Sequence, residues 1–209
     1  MIKVTTTRGL CALAIAAAGL IATAVPAAAD MSLNPAPPSW YTCKPTGSGT
    51  ICHGTMSFEY FSGFDGTCPQ GFNILENAHK DETGTRYYDR DGNLIRRVLH
   101  DIFPVGNPLN VLYNSQTGKS VPYRTDVTET DTLAVPGDLS SATTRITGNL
   151  YTVTLPGGGL LVHDVGNFTF APDGSILEDR GPKMLFSGQT DKLCAALARA
   201  VRRGQQNQN

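Results

Sequence analysis

Two His-Asp dipeptides, His100-Asp101 and His163-Asp164, are the residues whose types best suit acid-base chemistry. Each falls in a run that reads as a strand. Adjacent strand residues point to opposite faces, so neither pair can act as an internal dyad and any partner must come from another strand. Asp164 stands apart because Leu160, Val162, Gly166, Phe168 and Phe170 share its parity, which sets its carboxylate on the apolar side of the strand. An unpaired carboxylate there is costly, and Arg145, Arg97 or a histidine are the candidate partners. Asp164 is therefore the ligand-binding residue the sequence nominates, and no catalytic residue is nominated.

Other chemistries find less support. Without a Gly-x-Ser-x-Gly elbow, the Ser, His and Asp residues give no local sign of a hydrolase triad. His53, His79, His100 and His163 lack the i, i+4 or His-x-His spacing of a metal site, and no cofactor is expected. Asp89, Asp91 and Asn93 hint at a calcium loop, but Gly92 falls at the wrong place and a hairpin turn explains them better. Asn167-Phe168-Thr169 matches a glycosylation acceptor, inside an expected strand where chance is the simpler reading. Met56, Phe58 and Tyr60 alternate as core residues do; together with Trp40, Tyr41 and Phe61 they could instead form an exposed recognition patch.

These residues sit behind a leader. Lys3 and Arg8 give a basic start, Leu10 to Ala24 an apolar run, and Ala27-Ala28-Ala29 the small-x-small pattern of signal peptidase cleavage before Asp30. The run is shorter than the roughly 20 residues a membrane-spanning helix needs, so residues 1–29 read as a removed signal peptide, with no membrane span after cleavage and a secreted, extracellular product. Cys11 leaves with the leader. Loss of Lys3 and Arg8 takes the formal charge from −1 to about −3. Arg199, Arg202 and Arg203 are the one basic cluster and complement a helix dipole, so nucleic acid is not an expected partner.

About 180 mature residues suffice for one hydrophobic core. Residues 30–39 read as a Pro-rich leader onto the fold, 40–203 as a single disulfide-bonded domain, and 204–209 as a disordered polar tail. Turn signals at Asp91-Gly92, Thr117-Gly118, Pro136-Gly137-Asp138, Pro156 to Gly159 and Asp173-Gly174 punctuate runs of β-branched and aromatic residues. The strands expected are Phe72 to Lys80, Arg86 to Asp89, Leu94 to Phe103, Leu109 to Asn114, Ser120 to Thr128, Thr144 to Leu155, Leu160 to Phe170 and Ser175 to Arg180. That is an all-β antiparallel meander of about eight strands, and closure into a barrel would remove its edges. Pro122 hints at an edge or a bulge. Tyr88 to Leu94 and Phe170 to Ile176 share an aromatic residue three before Asp-Gly and an aliphatic one two after it, one hairpin solution used twice. A single helix is expected over Asp191 to Arg203, from Leu193, Leu197 and Val201 on one stripe, a cap at Thr190 or Asp191, and Gly204 at the end.

Cys43, Cys52, Cys68 and Cys194 remain after cleavage, an even number that points to two disulfides with three connectivities. Zinc is disfavoured because no Cys-x-x-Cys pair occurs. The turn over Pro45 to Thr50 could set Cys43 opposite Cys52, which leaves Cys68 with Cys194. Cys68-Pro69-Gln70-Gly71-Phe72, Asn114 to Lys119, Thr147 to Leu150, Gly166 to Phe170 with Asp173-Gly174, and Leu193 to Leu197 resemble a group of uncharacterised secreted proteins common in actinobacteria. The resemblance implies a bridge between the cysteine near the first strand and the one in the last helix, and it implies no activity. Trp40 to Gly66 lies outside it.

Three function classes follow. One is a secreted protein binding a small apolar ligand or an envelope component in a barrel. Another is a cyclase or isomerase like allene oxide cyclase, which needs few catalytic groups. The third is an extracellular inhibitor or interaction module built on the disulfide-clamped Pro45 to Thr50 loop.

Overall fold

A computed structural model describes residues 32–105, 109–155, 159–185 and 190–198, with backbone alone for 63–66. The expected signal peptide, the 204–209 tail and the last turns of the expected helix lie outside the described residues. Nine strands form one antiparallel sheet: β1 (Tyr41–Thr46), β2 (Gly49–Thr67), β3 (Asn73–Tyr88), β4 (Leu94–Phe103), β5 (Val111–Asn114), β6 (Ser120–Leu133), β7 (Ala142–Leu155), β8 (Gly159–Phe170) and β9 (Ile176–Arg180). One helix follows, α1 (Asp191–Ala198), which buries Leu193, Cys194, Ala196 and Leu197. Among the described residues no helix is long and apolar enough to cross a membrane.

The order is a meander with one irregularity: β4 and β5 share the place between β3 and β6. β4 pairs with Asp81–Tyr88 of β3, while β5 pairs with Ile74–Asn77. Pro104 lacks the amide a ladder needs, so the strand breaks after Phe103. Asn110 spans the break: its side-chain amide donates to the Pro104 carbonyl at 2.9 Å and its Oδ1 accepts from the His79 backbone amide at 2.7 Å.

The turns follow the glycines. Gly92 and Gly174 take φ of 82° and 81°, which a side chain disfavours, and each donates back to the residue three before it, Asp89 and Ala171. The repeated hairpin expected from the sequence is thus present. Asp89 Oδ1 also accepts the amides of Asp91 and Asn93, as an Asx turn requires.

The expected strands at Phe72 to Lys80 and Arg86 to Asp89 are one strand, β3, running through Gly84. β2 is much longer than the hairpin expected around the first cysteine pair. Both bridges are formed, Cys43 with Cys52 and Cys68 with Cys194.

One face of the sheet holds the core, in two apolar clusters. The larger packs Phe72, Ile74, Leu112, Val121, Val153 and Val162 under Leu193 and Leu197 of α1. The smaller gathers Tyr41, Cys52, Tyr88, Leu94 and Leu133 at the other end. This inner face is concave: the Tyr151 hydroxyl on β7 donates to Glu76 on β3 at 3.2 Å, across three strand intervals that would span about 14 Å in a flat sheet. Closure is a different matter. Among the described residues no pairing joins β9 to β1 or β2; β1 covers β2 only from Gly49 to Gly54, and β9 covers β8 only from Asn167 to Phe170.

Candidate functional site

Between the two apolar clusters the inner face carries charge. Strand pairing aligns Glu82 with Asp101, Arg86 with Arg97, Arg97 with Asp131, and Leu99 with Glu129, so these side chains form a belt across β3, β4 and β6. The Lys80 ammonium bonds Glu82 at 2.7 Å and Asp101 at 3.1 Å, and lies 4.7 Å from the centre of the Phe58 ring. The Arg97 guanidinium bonds Asp131 at 2.5 Å and Glu129 at 3.0 Å.

Carboxylates outnumber cations in this belt, and their acidities register it. Burial pushes the Asp101 carboxyl above the usual range; Lys80 pulls it down, but not enough, and adjacent Glu82 adds to the rise. Glu129 is raised by burial and then by Asp131, against Arg97. Burial works against the charged form of Lys80, yet Glu82 and Asp101 together raise its pKa.

Tyr41 enters the belt from β1. It lies over Gly84, where a Cβ would sit 1.8 Å from Tyr41 Oη, while its neighbour Trp40 lies over Gly54, where a Cβ would sit 2.6 Å from the Trp40 ring. Arg86 stacks on the Tyr41 ring at 5.2 Å.

Next to the belt lies a carboxylate among phenols. Glu76 is buried, accepting from Ser62 Oγ at 2.7 Å and from Tyr151 Oη at 3.2 Å. Tyr60, Phe103, Tyr123 and Tyr151 make a chain of ring contacts at 5.4 to 6.3 Å across the trough. Burial first, then the Glu76 charge, raises the pKa of Tyr60 and of Tyr151, so both stay protonated donors. Tyr123 is raised by burial and by Glu76 beside it, although its hydroxyl makes no hydrogen bond of ordinary geometry.

Among the described residues, three buried polar atoms of this face have no hydrogen-bond partner of ordinary geometry: Arg86 Nε, Asp101 Oδ1 and Tyr123 Oη. Two others, His79 Nδ1 and Asn167 Oδ1, lie on the opposite face, and His79 Nδ1 is 3.6 Å from Glu59. Folded proteins leave few such atoms, because each costs about 1–3 kcal/mol. The face is also partly open: Met56 is 39% and Tyr60 36% exposed, at inner-face positions that alternation alone assigned to the core.

Asp164, the residue nominated from the sequence, is completely buried at the end of the trough. Its two oxygens accept the backbone amides of Met184 and Leu185, at 2.6 and 2.9 Å. The basic partner anticipated from Arg97 is engaged elsewhere. The His-Asp dipeptides split between faces as strand geometry requires. His100 pairs with Asp126 of β6 at 3.0 Å and His163 meets Thr152 of β7 at 3.2 Å, both on the outer, exposed side.

Sequence reasoning missed the belt, because Glu76, Glu82, Arg97 and Glu129 look like ordinary surface charges until β2 and the full length of β3 and β6 are known. The period-two parity of Ala78, Lys80, Glu82, Gly84, Arg86 and Tyr88 is the signal that could have found it. Among the described residues no group of three or more His, Cys, Asp or Glu side chains is arranged to hold a metal ion. A shallow depression lined by Asn77, Val111, Tyr113, Gly118 and Ser120 lies on the outer face, away from the belt. No protein-family model, no curated protein and no solved structure matches the chain.

Proposed function

We propose that the chain is an exported binding protein whose curved sheet forms a half-closed barrel around a small amphipathic ligand. Its apolar body lies against Met56, Phe58, Tyr60 and Phe103, and its polar group reaches Asp101 and Tyr123. The observation that carries this reading is the set of partnerless polar atoms, Asp101 Oδ1, Tyr123 Oη and Arg86 Nε, beneath a partly open apolar wall. A ligand donating to the Asp101 carboxylate and accepting from the Tyr123 phenol would satisfy two of the three, and few convergent polar groups in an apolar concavity are what small-molecule sites use. Export is supported by the leader pattern and the two disulfides. The sequence nominates a small apolar ligand or an envelope component with Asp164 as the polar group inside; the carboxylate proposed here is Asp101, because the Asp164 oxygens accept backbone amides.

Tyr123→Phe separates this from a structural role. Removing a hydroxyl that lies beside Glu76 without a hydrogen bond of ordinary geometry should change stability by no more than about 1 kcal/mol, whereas affinity for a ligand bonded to that hydroxyl falls about tenfold. Native mass spectrometry of protein purified from culture medium, then challenged with a lipid and polyketide panel, identifies the ligand. Wild type that carries nothing and binds nothing from the panel, or Tyr123→Phe binding as tightly as wild type, overturns the proposal.

A further inference from the structure

Among the described residues the outer edge of β2 is bare over much of its length, and its sequence fits a second copy of itself. β2 pairs with β3 along its length, but on its other side β1 stops at Tyr41 opposite Gly54. From Thr55 onward the outer edge of β2 has no pairing among the described residues, and Phe61 is 62% exposed. Natural sheets blunt such edges with Lys, Pro, short length or bulges. The two terminal strands follow that rule: β1 carries Lys44 and Pro45, and β9 is five residues long with three charges, Glu178, Asp179 and Arg180; the margin of β8 before Asn167 meets residues 182–185 through Val165 and Asp164. Thr55-Met56-Ser57-Phe58-Glu59-Tyr60-Phe61 has neither Lys nor Pro, and Glu59 is its one charge. The irregularity in β2 comes only after Gly63.

We infer that residues 55–61 are a dimerisation edge, where β2 pairs antiparallel with β2 of a second copy about a two-fold axis through Phe58. The register is constrained. Opposite residues of an antiparallel pair point to the same face, so a two-fold normal to the sheet must pass through a residue, not between two. Centring on Glu59 sets two carboxylates against each other, which is destabilising. Centring on Tyr60 drives the pairing into the irregular region at Gly63 and leaves Thr55 and Met56 unpaired. Centring on Phe58 pairs Thr55 with Phe61, Met56 with Tyr60 and Ser57 with Glu59 of the other copy, and ends where Tyr41 already occupies the place opposite Gly54. Met56, Phe58 and Tyr60 line the open side of the trough, so the apolar wall would continue from one copy into the next. The inference is independent of what the trough binds, since it rests on the strand edge alone.

Size-exclusion chromatography with light scattering on the purified chain tests the assembly, and cysteine cross-linking tests the register. Wild type is expected at twice the chain mass. Phe58→Cys should join to itself through a short bismaleimide, Thr55→Cys should not, and Thr55→Cys with Phe61→Cys should. Phe58→Lys, which opposes two ammonium groups, should raise the dimer dissociation constant at least about tenfold, with circular dichroism to verify its fold. If that variant does not fold, the cysteine pair decides. A monomer at every concentration overturns the inference. So does a dimer in which Phe58→Cys fails to cross-link while Thr55→Cys succeeds.

Discussion

Gly84 shows how much of the belt depends on one missing methyl group. Tyr41 crosses the sheet only because Gly84 has no Cβ to meet its hydroxyl. Gly84→Ala is expected to expel the Tyr41 ring from Arg86 and cost about 1–3 kcal/mol, as overpacking does, measured by urea unfolding. Asp164→Asn should cost a similar amount, since charge-assisted bonds to the Met184 and Leu185 amides are each worth about 1.5–3 kcal/mol, while leaving ligand affinity near wild type. An affinity loss in Asp164→Asn as large as in Tyr123→Phe would return Asp164 to the binding site.

The belt also makes a pH prediction. Asp101 and Glu129 have folded-state pKa values raised above their ordinary ones, by burial first and by neighbouring carboxylates. The folded state then holds protons more tightly than the unfolded one, so their contribution to stability is full below the ordinary carboxylate range and is lost as pH rises through the raised values. Asp101→Asn with Glu129→Gln removes that term. The stability of the double variant relative to wild type should increase from about pH 4 to neutrality. A relative stability that falls over that interval would mean the carboxylates are favourably charged in the fold.

At the scale of elements, the two bridges act unequally. Loop-closure entropy gives about 5 kcal/mol for Cys68 to Cys194 and about 3 kcal/mol for Cys43 to Cys52, upper figures because bridges often deliver less. Replacing each pair with alanine should therefore lower the denaturation midpoint more for the long bridge, which ties α1 to the start of β3. Much of this level was legible in the residues. Leu94–Phe103 matches β4 end for end, and the Gly-centred turns gave the meander because positive φ is a local demand that sequence states openly. β2 was not legible, since Gly54, Gly63 and Gly66 look like turn signals in a strand that in fact uses Gly54 to pass under Trp40. Pro122 sits inside the sheet between β5 and β7, near an irregularity at Arg124 to Asp126, so only the bulge half of its hint applies. The charged belt escaped because the alignment of inner faces across β3, β4 and β6 depends on register, of which the alternation from Ala78 to Tyr88 gives only one strand's part.

At the largest scale the described residues form a curved sheet with an apolar cluster toward each end and unsatisfied polar atoms between them. Its strand number suggested closure, yet its margins are staggered and one side of the concavity is open. The proposed ligand would lie along this open wall. A structure of the protein with the ligand recovered by native mass spectrometry should show its apolar part against Met56 and Tyr60, with a polar atom within hydrogen-bond distance of Asp101 Oδ1 or Tyr123 Oη. A ligand seated instead on the outer face at Asn77 and Tyr113, with the inner atoms untouched, would contradict it.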